Sequence, residues 1–176
     1  MNTRHTPSTA SQVLRLQPDD WVPNNTRLPV LIYPHAIALH GSDPAAQIER
    51  TFEANGWPAQ WRDGIYAYHH YHTEGHEALG VVCGQARLIL GGPRGREVQV
   101  SAGDVLLLPA GTGHCKLDCS PGFLVVGAYP PGHHADIRRE APTQAQLSCI
   151  ANLPFPDHGP VQDPQGAYQQ HWLNQR

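Results

Sequence analysis

The sequence predicts an all-β fold, a single sandwich or barrel of short strands with one helix near the N-terminus and an irregular, proline-rich C-terminal stretch. Three observations carry this expectation. Seven short runs of β-forming residues between Ile65 and Tyr129 are separated by Gly, Pro or Asp. Gly and Pro number 17 each without a three-residue period, which excludes collagen and disfavours a helical bundle. The 176 residues, 40% hydrophobic and only 15% charged, suffice for one ordinary core and lack the charge of a disordered chain.

In chain order, residues 1–26 are polar and end in Pro23-Asn24-Asn25, as expected of an arm that lies on the surface or reaches a neighbouring subunit. Leu28 to Leu39 reads as a strand interrupted by Pro34. Asp43-Pro44 supplies an N-cap followed by Pro at the first helical position, and Ala45, Ile48 and Phe52 recur at helical spacing. Asn55-Gly56 closes that helix, placed at about 44–55, and Trp57 and Trp61 are expected to pack it onto the strands. The strand runs are Ile65–His72, Ala78–Cys83, Ala86–Leu90, Glu97–Ser101, Val105–Pro109, Cys115–Leu117 and Phe123–Tyr129, with a hairpin tip at Gly91-Gly92-Pro93-Arg94-Gly95. Residues 27–130 would form the barrel, and 131–176 an extension packing on it, with a short helix at 143–151 and a Pro/Gln-rich tail.

Several function classes are excluded by composition. A net charge of −3 with scattered Lys and Arg leaves no nucleic-acid footprint. No window approaches 18 consecutive apolar residues, and the polar start has no apolar core, so neither a membrane span nor a signal peptide is expected. Cys83, Cys115, Cys119 and Cys149 form no C-x-x-C pair and read as reduced, with Cys83 and Cys115 buried, in a cytoplasmic protein. The outlying number is 12 histidines, as many as Lys and Arg together.

Two stretches give those histidines a chemistry. In a strand, residues i and i+2 share a face, so His70 and His72 aim two imidazoles at one point, and Glu77 can return a carboxylate to it after the turn at 73–76. Two His and one carboxylate suit a divalent metal with open positions, although a lone His-x-His is also a common surface feature. In the second stretch Gly103-Asp104 leads into an apolar strand, Pro109-x-Gly111 breaks it, and His114 opens the next strand as a further ligand or as a capping His.

Together these stretches resemble the two motifs of the cupin superfamily. Gly64, His70, His72, Glu77 and Gly84 fit G-x5-H-x-H-x3,4-E-x6-G, while Gly103, Pro109, Gly111 and His114 fit G-x5-P-x-G-x2-H-x3-N, over 64–84 and 103–118. Asp118 stands where the second pattern ends in Asn. Trp61 to Tyr66, Val126 to Pro130 and the tail Leu153-Pro154-Phe155-Pro156 extend the likeness to small bacterial YjlB-like cupins, from about residue 18 to 170. The resemblance implies a jelly-roll barrel with one metal in its mouth, and a homodimer.

The expected ligands are therefore His70, His72, Glu77 and His114, holding one divalent transition metal per chain: Fe, Mn, Ni or Zn. Tyr66 and Tyr68 share the parity of the ligands and are candidate wall residues; His76 is a candidate outer partner or proton shuttle, or else a solvent-facing turn residue. His69 has the opposite parity and is expected to face away. No role attaches to His133-His134 or Arg138-Arg139, unless the tail crosses the barrel mouth. The expected function is Fe(II)-dependent dioxygenase-type chemistry on a small organic molecule. The alternatives are a Mn- or Zn-dependent isomerase or decarboxylase, and a metal-bearing binding module without turnover.

Overall fold

The computed structural model describes residues 10–176. Its strands are β1 (Gln12–Leu14), β2 (Val30–Tyr33), β3 (Ala59–Asp63), β4 (Glu77–Cys83), β5 (Gln85–Leu90), β6 (Arg96–Ser101), β7 (Val105–Leu108), β8 (His114–Cys119) and β9 (Leu124–Ala128). The helices are α1 (Pro44–Ala54), α2 (Gln144–Asn152) and α3 (Ala167–His171). The expected all-β fold is what the chain adopts. Its ladders form two antiparallel sheets, one ordered β1-β2-β7-β4-β9-β3 and the other β6-β5-β8.

The larger sheet is covered on both faces, and its sequence shows why. β2 (VLIY) and β7 (VLLL) are unbroken apolar runs with every residue buried. Alternate residues feed two separate cores. Val30, Ile32, Leu79, Val81, Leu106, Leu108 and Val125 meet Leu88 and Leu90 of the smaller sheet. Leu31, Tyr33, Val105, Leu107 and Val126 face outward and are covered by Ile48 and Phe52 of α1, by Trp57, and by Tyr168 and Trp172 of the C-terminal segment. β5, in contrast, alternates buried and exposed residues because its outer face meets solvent.

α1 begins as its sequence dictates, with Pro44 in the first turn and the Asp43 carboxylate accepting from the Ala46 amide at 3.0 Å. It lies so close to β4 that a Cβ on Gly80 would stand 2.5 Å from Ile48. Trp57 is fully buried beneath it, as expected, and donates its indole N–H to His158 O at 2.9 Å. Trp61 departs from that reading and turns toward the cavity described below.

Three expectations are corrected here. Residues 65–72 are not a continuous strand. A bend at Ala67 and Tyr68 interrupts the pairing, leaving Lys116 N bonded to Tyr66 O at 2.9 Å and His70 paired with His114 on one side, and Tyr71 paired with Arg138 on the other. The described part of the N-terminal arm does not lie loose on the surface: β1 joins the edge of the large sheet, and Val22, Asn24 and Asn25 are buried. Cys83 is exposed, whereas Cys115 is buried; all four cysteines are free thiols. Residues 1–9 of the expected arm lie outside the described residues. Beyond the expected short helix, the C-terminal stretch adds α3 and buries Trp172 completely. No helix of the described residues is long and apolar enough to cross a membrane.

His76 is neither a cavity wall nor a solvent-facing residue. It is fully buried against Phe155 and Trp172, its Nδ1 accepts from the Ala110 amide at 2.9 Å, and its Nε2–H donates to Leu153 O at 3.2 Å. Burial holds its pKa down to about 3. The folded protein thus keeps His76 neutral while the unfolded chain protonates it below about pH 6.5, so its destabilising effect is absent above that pH and grows as pH falls. In metal-free protein, His76→Gln, which can make both hydrogen bonds and cannot titrate, is expected to reduce the loss of unfolding free energy between pH 7.5 and 5.5 by on the order of 1 kcal/mol, read from urea denaturation. An unchanged loss would show that His76 is not held neutral.

Candidate metal centre

The bend and the turn before β8 place three imidazoles together. Ligating nitrogens of His70, His72 and His114 lie within 4.8 Å of one another, and all three side chains are buried. The outward nitrogen of each ring is fixed by a main-chain carbonyl. His70 Nδ1 donates to Tyr68 O at 3.1 Å, His72 Nδ1 to Asp136 O at 2.6 Å, and His114 Nδ1 to Thr112 O at 2.9 Å. Those bonds select the tautomer in which Nε2 carries a lone pair directed inward.

Glu77, the first residue of β4, shares the inner face with Leu79 and Val81. Its Oε2 stands 3.3 Å from both His72 Nε2 and His114 Nε2. Neither Glu77 Oε2 nor His72 Nε2 has a hydrogen-bond partner, although both are buried. Lone pairs held face to face in this way repel unless a cation stands among them. The titration behaviour points the same way. Burial favours neutral forms and holds His70 at about 3; for His72 and Glu77 their mutual attraction outweighs burial, raising His72 and holding Glu77 well below the usual carboxylate range. A set of three imidazoles and one carboxylate with orphaned inward atoms fits a divalent transition metal.

Sequence reasoning missed the residue that orients Glu77. Tyr129 O–H donates to Glu77 Oε1 at 2.6 Å and accepts from Trp61 Nε1 at 2.9 Å. Burial and the adjacent carboxylate raise the Tyr129 pKa, so it remains the donor. Trp61 reaches it across Gly127, where any Cβ would collide with the indole. The available signal was parity, since Val125, Gly127 and Tyr129 alternate toward the inner face of β9.

Distant segments complete the support. The Asp136 carboxylate accepts from Thr73 N at 2.8 Å, Thr73 Oγ1 at 2.6 Å and Glu74 N at 2.9 Å, tying the C-terminal segment to the turn between His72 and Glu77. Asn24 Oδ1 accepts from Gly113 N at 3.0 Å, and Asn25 Nδ2 donates to Ala110 O at 3.0 Å. Those asparagines hold the loop that delivers His114. Within that loop Gly111 has φ +91° and no room for a Cβ beside Asn24 O.

The imidazoles and Glu77 form the floor of a cavity of about 490 Å³, walled by Trp61, Ile65, Leu79, Lys116, Tyr129 and Ile137 among others. Tyr66 lines its mouth and is half exposed, as parity suggested. Tyr68 does not line it. The bend turns its ring outward, stacked on Tyr66 at 4.7 Å beneath the Arg139 guanidinium at 4.0 Å. His69 likewise lies outside the cavity walls. Asp118, at the departure from the second motif, faces solvent and pairs with Arg87, with Oδ2 2.8 Å from Nε.

The chain is 33% identical over 147 residues to the uncharacterized protein YjlB of Bacillus subtilis (strain 168), a match covering 82% of this chain and 86% of that one. The chain belongs to the family of that protein. No protein-family model matches it. Among solved structures it is similar to an oxalate decarboxylase at 18% identity and a TM-score of 0.35, covering 62% of this chain and 22% of that one, so it spans about a fifth of that chain. It is also similar to dTDP-4-dehydrorhamnose 3,5-epimerase of Bacillus anthracis at 15% identity and a TM-score of 0.38, covering 84% of this chain and 93% of the other.

Because Tyr129 fixes Glu77, Tyr129→Phe is expected to weaken zinc affinity by about 10–100-fold, measured by competition with a chromophoric chelator. Unchanged affinity would remove Tyr129 from the support of the site.

Proposed function

We propose that this cupin is a metal-dependent enzyme acting on a small organic molecule, with one divalent transition metal held by His70, His72, Glu77 and His114. The observation that carries this reading is the pair of orphaned buried atoms, Glu77 Oε2 and His72 Nε2, on the floor of a cavity large enough for a small metabolite. The leading reaction is Fe(II)-dependent dioxygenation. Iron held by such a set would supply dioxygen activation together with polarisation of the substrate. The chain's own contribution is to present the inward nitrogens in one tautomer, to keep Glu77 charged and aligned through Tyr129, and to exclude water with the buried Ile65 and Leu79.

One observation favours a second reading, isomerisation or decarboxylation with Mn or Zn. The Tyr66 hydroxyl and the Asp63 carboxylate both line the cavity, and either group can move a proton. The two readings separate on their use of oxygen. Fe(II)-loaded protein supplied with a panel of small organic acids is expected to consume dioxygen only with a co-substrate, and Glu77→Gln is expected to abolish consumption. Product formed equally without oxygen by the Mn- or Zn-loaded protein would replace the dioxygenase by the second reading. Saturable binding without product in either condition would make the protein a binding module.

A further inference from the structure

Lys116 is the only lysine in the 176 residues, and it lines the same cavity as the imidazoles. It lies two residues after His114 on β8, so the two side chains share a face and their Cα atoms stand about 6.6 Å apart. Its ammonium sits beside Gly64, where a Cβ would lie 4.0 Å from Nζ. Among the described residues no carboxylate pairs with that ammonium, and it makes no side-chain hydrogen bond.

The other charges at the cavity wall are already engaged. Arg62 is held by Glu49 through two bonds of 2.6 and 2.8 Å and by Asp43 at 3.3 Å. The Asp63 carboxylate accepts from the Gly64 amide at 2.7 Å. Glu77 is bound to Tyr129 on one side and faces the imidazoles on the other. Lys116 is therefore the free cation of the site, in a half-buried position where a charge-assisted hydrogen bond is stronger than in water. One lysine matches one negative charge, and a dianion would also face the carboxylates of Asp63 and Glu77. Ile65, Leu79 and Ile137 give the same cavity apolar wall.

We infer that Lys116 is a substrate-anchoring residue, and that the ligand of this cavity is a small monocarboxylate with an apolar body, its carboxylate on the Lys116 ammonium and its body directed toward the imidazoles. This inference names the substrate class for the function proposed above and rests on it for the claim of turnover, not for binding.

Calorimetric titration with benzoate and hexanoate, each beside its neutral amide, tests it in metal-free and zinc-loaded protein. The carboxylates are expected to bind saturably and the amides about tenfold or more weaker. Lys116→Met is expected to lose carboxylate affinity by about tenfold or more, and Lys116→Arg to retain most of it, with zinc uptake and melting midpoint as in the wild type. Equal binding of acid and amide, wild-type carboxylate affinity in Lys116→Met, or no saturable binding of either acid would overturn the inference. The comparison of acid with amide uses wild-type protein and does not depend on a variant folding. Carboxylate binding through Lys116 in a protein that takes up no zinc would support the anchor and contradict the metal reading, so the two failures are distinguishable.

Discussion

Three imidazoles and one carboxylate are buried together, with His72 Nε2 and Glu77 Oε2 left without hydrogen-bond partners, an arrangement that a cation would stabilise. Without a metal the cation is a proton, which is why His72 titrates above its ordinary range while Glu77 stays well below its own. Much of the surrounding structure serves to hold the inward atoms where they repel. Three carbonyls fix the rings, one phenol fixes the carboxylate, and two asparagines from the N-terminal arm hold the loop before His114. Groups fixed in this way are preorganised for an ion and lose little freedom when one binds.

The same logic explains the outer layer. A sheet whose strands are apolar on both faces needs a second cover, and α1 with the C-terminal segment supplies it. That segment also carries Asp136, which grips the turn between His72 and Glu77 and orients His72 through its carbonyl. The cover of the sheet and the positioning of a ligand are thus functions of one stretch of chain. Changes in the tail, far from the site in sequence, should be felt at the site.

Spacing made the clustering of His70, His72, Glu77 and His114 legible in the sequence, because a His-x-His pair, a glutamate after a short turn and a histidine after Pro-x-Gly each have a geometric consequence. Elements with strong local signals, α1 with its Asp43-Pro44 start and the strands β4 to β9, were legible for the same reason. What escaped notice depends on contacts distant in sequence. The bend at Ala67 and Tyr68 carries no Gly or Pro, so Tyr68 was placed on the cavity face by parity that the bend breaks. His76 was open to three readings, outer partner, proton shuttle or turn residue, because its actual partners, Ala110, Leu153 and Trp172, lie 34 or more positions away. β3 offers only two apolar residues, Ala59 and Trp61, with Gln60, Arg62 and Asp63 polar and exposed, so its short alternation gives a weak signal. The fold does not choose the reaction, since one scaffold hosts unrelated chemistries, and only the groups in the cavity bear on that choice.

Elemental analysis of untagged protein, purified without chelator beside His72→Ala, tests the dependence of the site on a cation. One equivalent of a divalent transition metal per chain in the wild type is expected, with a large loss in His72→Ala while that variant remains folded. A wild-type chain that carries no metal and takes up none on titration with Fe(II), Mn(II), Ni(II) or Zn(II) would contradict it, as would a His72→Ala variant with full occupancy.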